Sequence, residues 1–173
     1  MDVLENVKTA LSFRDRENLL PMLAGLKTIK EKERLTEESA LKILDKLDLT
    51  EYKNRNVTGL PYGIRRMVEV ARALSLEPDI LILDEPVAGM NHTESQTLMT
   101  KVMSLLMEGI TVILIEHDMQ VVMNFSDQIT VFNHGQVIAC GKPNEIQKNS
   151  EVIEAYLGKN YDEEEAGGGA ENE

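Results

Sequence analysis

The sequence predicts an α/β fold: a parallel sheet layer preceded by a helical block. Three observations carry this. Two runs, Ile80-Leu81-Ile82-Leu83 and Thr111-Val112-Ile113-Leu114-Ile115, are aliphatic almost throughout, the pattern of strands buried on both faces of a parallel sheet. Each ends at acidic or ionisable residues, Asp84-Glu85 in the first case and Glu116-His117-Asp118 in the second. A stretch patterned for a helix lies between them, so strand, helix and strand follow one another as in a crossover unit.

The elements are expected in the following order. Residues 2 to about 60 read as mostly helical. Val3, Leu4, Val7 and Leu11 fall at helical spacing, and Leu41, Ile43, Leu44 and Leu47 mark a second amphipathic helix after Thr36-Glu37-Glu38. Between Arg14 and Arg34 the pattern is broken and charged, with Pro21 and Gly25 as punctuation. Gly59, Pro61 and Gly63 cluster in a loop, and a helix is predicted from near Ile64 to about Ser75. After the first strand, Thr93-Glu94-Ser95-Gln96 has the form of a capping box. The helix behind it carries Leu98, Met99, Val102, Met103, Leu106 and Met107, with Met99, Met103 and Met107 read as core packing. A short helix is expected from Met119 to Asn124. Gln128 to Phe132 and Gln136 to Cys140 are expected to pair as an antiparallel hairpin around Asn133-His134-Gly135, and two small helices start at Pro143 and Ser150.

Composition narrows the function classes. The formal net charge is -12, which argues against nucleic acid as the main partner. Half of that charge comes from Asp162, Glu163, Glu164, Glu165, Glu171 and Glu173 in a Gly-containing end with no base, so residues 161–173 are expected to form a disordered acidic tail. The single cysteine, Cys140, excludes an intramolecular disulfide and reads as a small apolar strand residue. No apolar run reaches the roughly 18 residues of a spanning helix, so a cytoplasmic chain that meets a membrane only through a partner is expected.

Three segments can carry chemistry. Asp84 and Glu85 emerge at the C-terminal end of a strand, where open α/β sheets bind ligands. An Asp there can hold Mg²⁺ through water, and an adjacent Glu can orient or deprotonate an attacking water. His117 ends the second strand, where an imidazole can contact a phosphate oxygen or a catalytic water, although a lone His is more often a satisfied surface residue. Leu60-Pro61-Tyr62-Gly63-Ile64 delivers a helix N-terminus whose N–H groups and dipole make an anion site, although on spacing alone it is an ordinary loop-to-helix joint.

Together these segments, in this order, resemble the ATP-binding subunits of ABC transporters. LPYGI stands where that family has its signature motif, ILILDEP is similar to its Walker B strand, VAGMN to its D-loop and LIEHDM to its switch-histidine loop. With the ending VIEAYLGKN, the set resembles the branched-chain amino acid importer group, over residues 1 to about 160. The resemblance implies an incomplete P-loop NTPase core, in which residues 1–77 form the helical subdomain with the signature helix and residues 78–160 the C-terminal part of the ATPase core. It implies ATP and Mg as cofactors. Asp84 would help hold Mg²⁺ through water, Glu85 would be the catalytic carboxylate, and His117 would contact the γ-phosphate. Leu60, Pro61, Tyr62, Gly63 and Ile64 would face ATP held by an opposing subunit, and Asn91 would sit at the dimer interface. Its implied partners are a second ATP-binding subunit, identical or not, transmembrane permease subunits and, indirectly, a periplasmic binding protein. The implied location is the inner face of the plasma membrane. Two departures mark the signature segment: Pro61 replaces its usual Ser, and Tyr62 its first Gly.

No G-x-x-x-x-G-K-[ST] phosphate loop occurs in the sequence: Gly141-Lys142 is followed by Pro143, and Gly158-Lys159 by Asn160. The chain is therefore expected to be a C-terminal fragment of such a subunit, inactive on its own. The competing expectations are a non-catalytic module that binds the transporter or a complete ATPase partner, the ATPase subunit of a related urea or amide importer, and an ABC protein unrelated to transport.

Overall fold

A computed structural model describes residues 1–14 and 26–157. The expected disordered tail and the punctuation at Pro21 and Gly25 lie outside the described residues. The chain divides into two compact units, residues 1–115 and 116–173.

The first unit opens with α1 (Val3–Arg14), which buries Val3, Val7 and Leu11 as its spacing predicts. Helix α2 (Leu26–Lys46) starts well before the expected position. Thr36 lies inside it, with Oγ1 donating to the Lys32 carbonyl at 2.9 Å. The early start has a local cause. Arg34 pairs with Glu31 and Glu38 at helical spacing on an exposed surface, so helix is favoured there without an apolar stripe to reveal it. The apolar stripe appears only from Ala40 to Leu47, where Ala40, Leu44 and Leu47 are buried. Asp48 ends the helix in the left-handed region at φ 55°, and Leu49 folds back so that its N–H donates to the Leu44 carbonyl at 2.7 Å.

Helix α3 (Tyr62–Leu74) begins two residues earlier than predicted, with Pro61 as its N-cap. It buries Met67, Val68, Val70, Ala71 and Leu74. Strand β1 (Ile80–Asp84) pairs in parallel with β2 (Thr111–Ile115), with Ile82 opposite Ile113 and Asp84 opposite Ile115. The crossover between them contains α4 (His92–Leu106), whose buried side includes Leu98, Met99, Val102 and Leu105.

Three readings need correction. First, the strands are not buried on both faces. Leu81 and Leu83 are covered, but Ile80, Ile82, Ile113 and Ile115 are exposed. The continuous aliphatic run describes a strand built for cover on both faces, and the residues described here cover only one. Second, Asn91 and not Thr93 caps α4. Glu94 N–H donates to Asn91 Oδ1 at 3.0 Å, and Asn91 N–H donates to Glu94 Oε2 at 3.1 Å. Third, Met107 is not core: it lies at the C-cap of α4 and is 90% exposed, while Leu105 is fully buried.

The second unit contains α5 (Met119–Phe125), strands β3 (Ile129–Asn133) and β4 (Gln136–Gly141), α6 (Pro143–Ile146), α7 (Ser150–Val152) and a π-helical turn, Ile153–Leu157. The hairpin is antiparallel as predicted. Its turn places His134 at φ 47° and Gly135 at φ 77°, the two left-handed residues that match the twist of a tight hairpin. Ile129, Val131, Ala139, Ile146 and Val152 form its core. Cys140 lies on β4, a strand residue as predicted, and is exposed. Thr130 and, secondarily, Gln128 hydrogen-bond its sulfur and hold the thiol below its ordinary pKa.

Candidate functional site

Asp84 is the last residue of β1 and stands on the exposed face of the strand pair. Glu85 follows at φ 45°, a left-handed backbone that a non-glycine residue seldom adopts. Two backbone bonds hold it there: its N–H donates to the Ile115 carbonyl at 2.9 Å, and its carbonyl accepts from Ala88 N–H at 3.2 Å. The chain thus leaves the sheet abruptly, and two consecutive carboxylates stand at the strand end. Backbone outliers of this kind cluster at working sites because the surrounding structure must maintain them.

The N-terminus of α3 packs on the segment that follows. A Cβ placed on Gly89, which sits at φ 77°, would lie 3.9 Å from Tyr62 Cε1. A Cβ placed on Gly63 would lie 3.9 Å from Glu94 Cβ. Leu60 is buried beneath this joint, Gly63 and Ile64 are half-buried, and Pro61 is exposed. Pro61 carries no side-chain acceptor for the first turn of α3, so those N–H groups are available to a ligand or water. The structure therefore brings the predicted residues 60–64 against the 86–94 segment, which includes Asn91. Asn91 itself has its side chain committed to the α4 cap.

A cleft of about 210 Å³ runs between α3 and β1, lined by Arg66, Glu69, Leu81, Asp84 and Leu98 among others. A second cavity, of about 390 Å³, borders the outer side of α3 and includes Arg65, Arg66, Arg72 and Asn6. Arg66 reaches both. Its Nε donates to Tyr62 Oη at 3.0 Å and its Nη1 to Glu69 Oε2 at 2.9 Å. The hydrogen bond with Glu69 holds the Arg66 guanidinium above its ordinary pKa. This arrangement escaped sequence reading, although Arg and Glu three apart is a visible helical pairing signal.

His117 lies in the second unit and is exposed, with its N–H donating to Glu116 Oε2 at 3.3 Å. Its neighbour Asp118 caps α5 by accepting from Gln120 and Val121 N–H at 2.9 and 3.2 Å. His92 is the first residue of α4 and His134 a hairpin turn residue. Among the described residues, no group of three or more His, Cys, Asp or Glu side chains is placed to hold a metal. Mg²⁺ binds through one or two carboxylates together with nucleotide phosphates and waters, so the residues present that could hold it are the exposed Asp84 and Glu85. Asp84 is an exposed carboxylate at the strand end.

A strand-end carboxylate pair and a glycine-containing helix N-terminus thus lie on the same unit, and comparison with known proteins gives the family. Residues 3–88 match the ABC transporter family, and residues 136–162 match the branched-chain amino acid ATP-binding cassette transporter family. The chain belongs to the ABC transporter family. It is similar to the high-affinity branched-chain amino acid transport ATP-binding protein BraF of Pseudomonas aeruginosa, at 41% identity over 92% of this chain and 63% of the relative. LivG of Escherichia coli, a protein of the same description, is 37% identical over the same shares of the two chains. Among solved structures, a nucleotide-free ATP-binding cassette from an ABC transporter matches with a TM-score of 0.72 and 30% identity, over 92% of this chain and 64% of that one. The chain thus spans 63% of the length of these curated relatives. Among the described residues, no helix is long and apolar enough to cross a membrane.

Proposed function

We propose that the chain supplies the signature, Walker B and switch-histidine segments of an ATP-hydrolysing subunit that energises branched-chain amino acid import. The observation that carries this is the Asp84-Glu85 pair held at the end of a parallel strand, with the uncapped α3 N-terminus on the same unit. The descriptions of BraF and LivG support the substrate class. In this reading residues 1–77 form the helical subdomain that meets the permease subunits, and residues 78–160 the C-terminal part of the ATPase core. The assembly works with a second ATP-binding subunit and, through the permease, a periplasmic binding protein, on the inner face of the plasma membrane.

Each residue then has one task. Asp84 would help hold Mg²⁺ through water, and the ion would supply positive charge to offset that of the phosphates. Glu85 orients the attacking water and accepts its proton. His117 donates a hydrogen bond to the terminal phosphate. The N–H groups of Gly63 and Ile64, at the positive end of α3, face the phosphates of a nucleotide carried by the opposing subunit.

Gly63→Asp tests the last assignment. A Cβ at Gly63 meets nothing closer than 3.9 Å, so the backbone there has room for one. An acid in the first turn also favours the helix dipole, so α3 should persist. The carboxylate would instead repel the phosphate. In a complete subunit carrying this change, ATP turnover should fall about 10²-fold, the scale of losing one oriented donor site. Binding of ATP to a single subunit should stay nearly unchanged. Equal loss of binding and turnover, measured by calorimetry and phosphate release, would contradict the assignment.

A further inference from the structure

We infer that the cavity on the outer side of α3 is a binding site for a small organic anion. Its carboxylate or phosphate head would pair with Arg65 and Arg72, and its apolar body would lie on Val57 and Val68. The inference goes beyond the ATPase reading and does not rest on it. None of Gly63, Ile64, Asp84 and Glu85 lines this cavity, so it is separate from the residues given tasks above. All of its walls belong to the first unit.

The charge of the cavity is opposite to that of the chain. The sequence carries a formal net charge of -12, yet here the guanidinium groups of Arg65, Arg66 and Arg72 are balanced only by the carboxylate of Glu69. That carboxylate is already engaged, since Glu69 Oε2 accepts from Arg66 Nη1 at 2.9 Å. Arg65 and Arg72 make no ion pair and no side-chain hydrogen bond with any described residue, so their donors are open to a ligand. A guanidinium is a planar fork whose parallel N–H groups match carboxylate and phosphate oxygens alike.

Placement on α3 brings these groups together. Arg65 and Arg72 are two helical turns apart on one side of the helix, a span of about 10 Å that two arginine side chains can bridge from either end. The Arg65 guanidinium carbon lies 5.4 Å from the Tyr62 ring centroid, within cation–π range, so that side chain is partly ordered before a ligand arrives. Between the arginines the wall is apolar: Val68 is buried and Val57 half-buried. The volume, about 390 Å³, lies in the range of small-molecule sites. A charged head at the arginines and an apolar body on the valines therefore fit the same space.

Calorimetry on the 173-residue chain, without nucleotide, tests this with inorganic phosphate, phenyl phosphate and benzoate as probes. At least one of the two organic probes should bind at a single site with a Kd below about 1 mM. The tighter of the two identifies the head group, phosphate or carboxylate. Arg65→Gln and Arg72→Gln should each weaken that binding about tenfold, the scale of one charge-assisted hydrogen bond. Both residues are exposed and Gln is a good helix former, so α3 should stay folded, which circular dichroism checks. Glu69→Gln should do the opposite and tighten binding severalfold, because it removes the competing carboxylate and releases Arg66. Loss of helix alone cannot give effects of opposite sign within one turn. Binding of neither organic probe below about 10 mM would overturn the inference. Binding unchanged in both Arg variants, or weakened in Glu69→Gln, would do the same. Saturation by inorganic phosphate with no binding of either organic probe would mean an adventitious ion only, and would overturn it too.

Discussion

Replacing Glu85 with Gln should cut magnesium-dependent ATP turnover of a full-length subunit by about 10²–10⁴-fold, the range for removing a positioned general base. The substitution keeps the length and shape of the side chain and removes its charge. Gln can occupy the same backbone position, held by the bonds to Ile115 and Ala88, so the turn at the strand end should survive. Glu85 is exposed, and exposed substitutions usually change stability by less than about 0.5 kcal/mol. ATP binding should persist, since the carboxylate repels the triphosphate and contributes little to holding it. The expected signature is a protein that binds ATP and fails to turn it over. An unchanged hydrolysis rate would move the base elsewhere on the strand end.

The second large effect concerns stability. Leu98→Ala should destabilise the chain by about 3 kcal/mol or more, within the range of buried leucine truncations. Leu98 is 2% exposed and lines the cleft shared by α3 and β1. That cleft already measures about 210 Å³, so the lost methyl groups would enlarge an existing space that the backbone has not closed. Ile82→Ala supplies the contrast. Ile82 is 61% exposed, and in this chain its truncation should cost well under about 1 kcal/mol. In a full-length subunit, where both faces of a parallel sheet are expected to be covered, the same change should cost about as much as a buried truncation. Equal effects of the two substitutions in this chain, measured by denaturant unfolding, would contradict the one-sided burial of the sheet.

That contrast also shows what the sequence could convey. The runs at 80–83 and 111–115 marked parallel strands correctly, because aliphatic continuity reflects the environment the strand is patterned for. They could not reveal that Ile80, Ile82, Ile113 and Ile115 remain exposed, since that depends on which other elements are present. Helix α2 was misplaced at its start for the opposite reason: a helix held by the Arg34 pairs leaves no apolar period to read. The hairpin was legible because Asn133-His134-Gly135 supplies residues that tolerate a left-handed backbone. In the candidate site, the carboxylates and the glycine-containing helix start were legible as motifs. The left-handed Glu85, the Asn91 cap chosen over Thr93, and the Tyr62 contact with Gly89 were not. Each depends on how two segments distant in sequence, or two equally suitable caps, settle in space.

The central proposal is that these residues carry the catalytic carboxylate and the signature helix of an ABC ATPase, and that the two work only together with the part of the relatives' length that they do not span. Phosphate release tests it most directly. The chain is co-expressed with a second polypeptide covering the remaining third of the relatives' length, and each is also assayed alone with ATP and Mg²⁺. The account predicts turnover from the pair and none above background from either part. Hydrolysis by this chain alone, or a folded, associated pair that binds ATP without hydrolysing it, would contradict the account.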